Sequence, residues 1–159
     1  NEYENISQIL KTLKFTKPFK QELVFDIDSD NIPCDHPRKE RTCPKCLKKA
    51  YNYAVKMKKE LSDEFKRVIL VYSGRGFHVH ILDNRAFYLN FAERRKLNKK
   101  FSKYPIDSWV SNGHIRLIRM PFSLNALVSR KVMPLSGDRF NAEKTIPKFL
   151  RKSLHNATS

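Results

Sequence analysis

Glu22-Leu-Val-Phe-Asp-Ile-Asp28 alternates apolar and polar residues over seven positions. In a β-strand that alternation sends Leu23, Phe25 and Ile27 to one face and Glu22, Val24, Asp26 and Asp28 to the other. Two carboxylates, Asp26 and Asp28, thus stand side by side on one strand face, close enough to share hard divalent cations. Like charges so placed repel unless a cation compensates, which makes the pair more informative than two loop acids. An Asp-x-Asp at a solvated strand end is the bland alternative.

Downstream, residues 29–46 are polar, with three prolines and all three cysteines, and read as an irregular insert. Leu47, Ala50, Tyr51, Ala54, Val55, Leu61 and Phe65 then form a helical stripe whose opposite face is rich in lysine, predicting a long helix over 47–65. Val68–Tyr72 and Phe77–Leu82 are β-rich runs joined by Ser73-Gly-Arg-Gly76, the pattern of an antiparallel hairpin. Residues 86–101 read as a basic helix, 104–113 as a loop or short strand, 115–120 and 128–135 as strands, and the stretch after Ile146 as a short helix. Upstream, Ile6, Ile9, Leu10 and Leu13 suggest a short amphipathic helix before Pro18. No internal repeat is present, and the expected fold is an α/β domain with a mixed sheet.

A chain of 159 residues suits one domain, 1–159. Lys and Arg number 32 against 16 Asp and Glu, a net charge of +16 that repels itself unless a polyanion neutralises it. Nucleic acid is the natural partner, although a lysine-rich surface can also serve solubility alone. No apolar run reaches the roughly 18 residues of a membrane span. The chain opens on Asn1, as an excised or processed piece would, and its start does not resemble a signal peptide. The cysteine pattern argues against a disulfide scaffold and for a reducing compartment or a metal site, so the expected location is the cytoplasm, or the nucleus in a eukaryote.

Cys34-x-His36 followed by Cys43-Pro-Lys-Cys46 supplies four zinc ligands in a segment with no hydrophobic support of its own. A redox Cys-x-x-Cys competes with zinc, but Cys34 and His36 favour a closed, structural site. Ser73-Gly74-Arg75-Gly76 followed by His78 offers backbone amides, a hydroxyl, a guanidinium and an imidazole suited to phosphate oxygens; the bland reading is an ordinary hairpin. His80 shares the face of His78 and takes a structural reading. Two-metal phosphoryl transfer usually needs a third acid, and Asp107, before Ser-Trp-Val-Ser-Asn-Gly, is the candidate. Arg116 and Arg119 would face opposite ways on one strand. Phe15, Tyr72 and Trp109 could stack bases but suit a core equally.

Taken together, Glu22–Asp28, the cysteine–histidine knuckle, Val71-Tyr-Ser-Gly-Arg-Gly-Phe-His78 and Arg116-Leu-Ile-Arg-Met-Pro-Phe-Ser-Leu124 resemble the small catalytic subunit of archaeal and eukaryotic primases, in order and spacing, from about Glu22 to Leu135. The resemblance implies the primase catalytic fold, a largely antiparallel mixed sheet flanked by helices with a zinc-knuckle insert at 34–46. It places Mg²⁺ or Mn²⁺ on Asp26, Asp28 and Asp107, structural Zn²⁺ on the knuckle, and nucleotide contacts on Ser73, Arg75, His78 and Arg119. In the eukaryotic spacing an acid precedes a Val-Ser-x-Gly loop, as Asp107 does; the archaeal spacing would put it near Gly113. Three departures stand out: the turn is one residue shorter, Asn125 replaces a histidine, and Leu127-Val-Ser129 replaces Lys-Thr-Gly. Asn125 retains hydrogen-bonding capacity toward a ribose hydroxyl. Primases of this family act on single-stranded DNA with nucleoside triphosphates and work with a large subunit bearing an iron–sulfur cluster, whose four-cysteine site three cysteines cannot make. The implied activity is primer synthesis by a minimal catalytic core whose partner is a large subunit or fused accessory domain. A primase-fold polymerase extending primers in plasmid replication or repair, and a non-catalytic zinc-containing nucleic-acid-binding module, are the other readings.

Overall fold

The computed structural model describes residues 21–35, 42–112, 117–136 and 140–150. The helix expected at 5–13, and Phe15, His36, Gly113 and Arg116, lie outside them.

The acid-bearing segment is strand β1 (Leu23–Asp28), followed by a 3-10 turn at Ser29–Asn31. Helix α1 (Pro44–Ser62) follows the cysteine segment. Proline at its first turn is tolerated because that N–H has no helical partner in any case. The helix therefore starts three residues earlier than its apolar stripe suggested, and Cys46 belongs to its first turn rather than to an irregular insert. Strands β2 (Val68–Tyr72) and β3 (Gly76–Ile81) form the expected hairpin. The basic segment divides into α2 (Asn84–Phe87) and α3 (Phe91–Lys100). Asn90 separates them because its side chain accepts from the backbone N–H of Ala92 and Glu93, while Glu93 accepts from that of Asn90, a capping box that starts a new helix. Helix α4 (Ser108–Ser111), β4 (Leu124–Asn125), β5 (Arg130–Lys131), β6 (Met133–Leu135) and a 3-10 turn at Glu143–Thr145 complete the described elements.

The main sheet has the order β1-β3-β2-β6, and β4 and β5 form a separate ribbon; each of these pairings is antiparallel. α1 covers the face bearing Leu23, Phe25, Ile27, Tyr72, Phe77, Val79 and Ile81, laying Leu47, Ala50, Ala54, Met57 and Leu61 against them. Ala50 and Ala54, both fully buried, let the helix approach closely. Tyr72 is part of this core, whereas Trp109 is largely exposed. Arg94 of α3 is also fully buried: its guanidinium donates to the carbonyls of Gln21, Glu22, Ala86 and Leu89, tying α3 to the start of β1.

Two expected strands differ. Residues 117–120 are not a strand. The run 128–135 divides between two sheets: Ser129 takes a left-handed φ of 51°, β5 pairs with β4, and the chain then turns through buried Val132 so that β6 joins β2. Apolar alternation cannot register a mid-strand change of partner. At the far end, residues 148–150 are helical. No helix among the described residues is long and apolar enough to cross a membrane.

Candidate active site

On the sheet face away from α1, Asp26 and Asp28 project beside β3, where their register partners are His78 and Gly76. Gly76 is required for this pairing: a Cβ there would lie 2.3 Å from the Ile27 carbonyl oxygen and 2.7 Å from Asp28 Cα. The preceding turn is closed by Ser73 N–H donating to the Gly76 carbonyl (3.0 Å) and Gly76 N–H to Ser73 Oγ (3.1 Å). Gly74 adopts φ +98°, a conformation costly for residues with a Cβ. Asn125 packs against Gly74 and donates from Nδ2 to the Ser73 carbonyl at 2.8 Å. Ser73 and Asn125, both buried, thus make their bonds within the turn, while Asn125 Oδ1 has no hydrogen-bond partner.

Arg75, at the tip of the turn, lies between two acids. Its Nη2 is 3.8 Å from Asp28 Oδ2 and forms a direct ion pair with Asp30, while its Nε is buried without a partner. Asp107 arrives from the far side. Its N–H donates to the Asp26 carbonyl (2.8 Å), and its Oδ1 caps α4 by accepting from Trp109 N–H (2.9 Å). The predicted loop after Asp107 is therefore a short helix, with Asp107 as its N-cap.

Asp26, His78, Leu117, Ile118 and Arg119 line a cleft of about 250 Å³. His78 Nε2 lies 3.6 Å from Asp26 Oδ1. Burial, with Asp28 and Asp107 adding repulsion, raises the Asp26 carboxyl to about 7 against the opposing pull of Arg119 and Arg75. Burial, reinforced by His80 and Arg119, lowers His78 to about 3, so its imidazole is neutral at physiological pH. His80 is buried one step farther along β3, where its Nδ1 meets Glu22 Oε2 at 3.1 Å.

Asp26 Oδ1 and Asp28 Oδ1 are buried and accept no hydrogen bond. Orphaned carboxylate oxygens beside a carboxyl destabilised by its neighbours are a donor set that a hard divalent cation would satisfy. The three acids are not drawn into a tight ligand cluster; among the described residues, the group of that kind is Cys34, Cys43 and Cys46. Their sulfurs lie within 4.8 Å of one another, with Cys34 Sγ and Cys43 Sγ 3.7 Å apart. Tetrahedral zinc with Zn–S of about 2.3 Å requires sulfur–sulfur edges of about 3.8 Å. The trio fits zinc, and His36, the expected fourth ligand, lies outside the described residues.

The structure brings together Asp26, Asp28, Asp107, Arg75, His78 and Arg119, with Ser73 and Asn125 beneath the turn. Sequence reasoning missed Asp30. Its signal was slight, a polar residue in an apparent loop, and only the tertiary ion pair with Arg75 marks it.

The profile of the DNA primase small subunit matches residues 25–104, a stretch running from β1 through α3 and including Asp26, Asp28, the Ser73–Gly76 turn and His78. The chain belongs to the DNA primase small subunit family. Asp107, Arg119 and Asn125 lie beyond the matched stretch. A DNA primase small subunit-like protein of Archaeoglobus fulgidus is 41% identical over 147 residues, covering 84% of this chain and 52% of its own length. The DNA primase small subunit of Pyrococcus abyssi is 39% identical over 123 residues, covering 64% of this chain and 35% of its own. That of Thermococcus kodakarensis is 27% identical over 151 residues, with 84% and 43% covered. This primase-family chain therefore spans about half or less of the length of these relatives.

Proposed function

We propose that this chain is the catalytic core of a DNA-dependent primase, joining nucleotides on a single-stranded DNA template by attack of a 3′-hydroxyl on the α-phosphate of the next nucleoside triphosphate, with pyrophosphate leaving. One observation carries the reading: in a member of the primase small subunit family, Asp26 and Asp28 present unpartnered carboxylate oxygens on the same sheet face as His78, with Arg119 lining the cleft beside them and Arg75 at the turn next to Asp28. Mg²⁺ or Mn²⁺ held by Asp26 and Asp28, with Asp107 as third acid, would supply activation of the hydroxyl and neutralisation of the triphosphate.

The protein's own groups then divide the work. Arg119 at the cleft wall and Arg75 at the turn tip bind phosphate oxygens, and a guanidinium suits this because its planar donors pair bidentately. Neutral His78 donates one N–H to a phosphate oxygen without adding charge beside the acids. Ser73 and Asn125 set the height of the turn, and with it the position of Arg75. The cysteine trio, with His36 as the expected fourth ligand, would hold structural zinc that ties the segment to the start of α1. A net charge of +16 favours the template's phosphates, with affinity falling steeply as salt rises. A large subunit or fused domain is the expected partner for initiation.

The test is primer formation by the chain on single-stranded DNA, with labelled nucleotide and Mn²⁺ or Mg²⁺, beside Asp28→Ala. Product from the wild type and none from the variant, with template binding retained, supports the reading. Equal product from both sinks the metal-acid assignment, and extension of supplied primers without new initiation narrows the activity to a polymerase of this fold.

A further inference from the structure

Asp30 lies outside the acid set used above, yet it makes the direct charge contact on the rim of the site. It sits on the 3-10 turn that follows β1, and its carboxylate pairs with Arg75 Nη2. Arg75 is held from below as well, since its carbonyl accepts from Ser29 N–H at 3.2 Å. The two charges are therefore brought together by the backbone, not only by long side chains finding one another. Asp28 is the more distant partner, 3.8 Å from the same nitrogen, and Arg75 Nε has no partner at all. One guanidinium thus serves two carboxylates through Nη2, while its buried Nε goes without an acceptor.

A guanidinium fork that pairs with carboxylate pairs equally well with phosphate, so Asp30 occupies the group that an incoming anion needs. We propose that Asp30 is a positioning residue of the phosphate subsite: its carboxylate holds the Arg75 guanidinium in the absence of nucleotide and is displaced by any phosphate group that takes that guanidinium. The inference rests on the reading above that Arg75 faces the triphosphate. Every phosphate that takes Arg75 carries the cost of the displaced ion pair, so Asp30 lowers the affinity of the subsite for triphosphate and pyrophosphate alike. The side chain of Asp30 is 55% exposed, so its substitution leaves the core untouched.

The experiment is displacement of a fluorescent nucleoside triphosphate from the chain by unlabelled triphosphate, pyrophosphate and inorganic phosphate, with wild type, Asp30→Asn, Asp30→Glu, Arg75→Ala and the Asp30→Asn/Arg75→Ala double variant. Releasing an exposed ion pair corresponds to an affinity gain of up to about fivefold. Asp30→Asn is expected to bind triphosphate, pyrophosphate and inorganic phosphate each up to about fivefold more tightly. Asp30→Glu restores the wild-type affinities, and the gain disappears in the Arg75→Ala background. Unchanged affinities in Asp30→Asn, or an equal gain without Arg75, overturn the exchange while leaving Arg75 as a nucleotide ligand. Arg75→Ala binding triphosphate as tightly as wild type removes Arg75 from the nucleotide site, and the proposal falls with that assignment.

Discussion

Replacing Asp26 with asparagine should make the metal-free protein more stable at pH 8 and leave it unable to synthesise primers. The Asp26 carboxyl rises from an ordinary 3.8 to about 7 on folding, first by burial, then by Asp28 and Asp107. Between those values the folded protein retains a proton that the unfolded chain has lost, so wild-type stability falls as pH rises through the window and levels off above 7. At 1.36 kcal/mol per pH unit, the span from 3.8 to about 7 sets an upper limit of about 4 kcal/mol. Its side chain is 19% exposed, so solvent screening brings the expected gain for Asp26→Asn to roughly 2 kcal/mol, about 4–8 °C in Tm for a domain of this size. His78 acts with the opposite sign: lowered from 6.5 to about 3, it stays neutral where the unfolded chain takes up a proton, and costs stability as pH falls through that range. The two residues lie 3.6 Å apart, so their slopes offset each other between about pH 4 and 6.5 in the wild type and separate in the variant. The assay is denaturant or thermal unfolding of both proteins at pH 4 and pH 8, with and without Mn²⁺. The variant should lead at pH 8, lose that lead at pH 4, and gain nothing from Mn²⁺ where the wild type gains. A lead independent of pH, or equal stabilisation of both by Mn²⁺, refutes the argument from a strained, cation-seeking carboxylate.

Gly76→Ala should cost about 3 kcal/mol or more, because the new Cβ meets the backbone of β1 at 2.3 Å and neither strand can move without breaking the β1–β3 register. Chemical denaturation measures it, and an unchanged midpoint would show that the pairing is looser than described. Cys43→Ser should lose about one equivalent of zinc together with a marked part of the stability, since in a segment without its own core the binding free energy of the metal is folding free energy. Metal analysis and melting curves decide it, and a wild-type chain that is fully folded yet free of zinc would overturn the structural-zinc assignment.

Much of this molecule was legible in one dimension wherever function rests on local periodicity. The alternation of Glu22–Asp28 placed three apolar residues on the core face and two acids on the other, and β1 adopts that arrangement. The β2–β3 hairpin and α1 were equally plain, the first from its glycine turn and the second from its stripe. The cysteine spacing announced the cluster whose sulfurs now lie within 4.8 Å. These features depend on the strand and helix periods, which a sequence displays directly. Other features depend on which distant segments meet, and no period records that. Val128–Leu135 reads as one strand but serves two sheets, because its partners, β4 and β2, are chosen by the packing of Val132 and the turn at Ser129. Asp107 was visible as an acid before a loop; that its N–H reaches the Asp26 carbonyl while its carboxylate caps a helix is a tertiary fact. Asn125 braces the Ser73–Gly76 turn from 52 residues away, a contact no local pattern announces. Asp30 looked like a loop acid until Arg75 was brought to it across the β1–β3 pair. The sequence by itself determined which residues face the core and which chemistry the chain carries, because side-chain period and composition are local. Only the tertiary structure decided the burial that raises Asp26 and lowers His78, and the exposed contact that sets Asp30 against Arg75, because desolvation and charge pairing depend on neighbours that the chain order does not name.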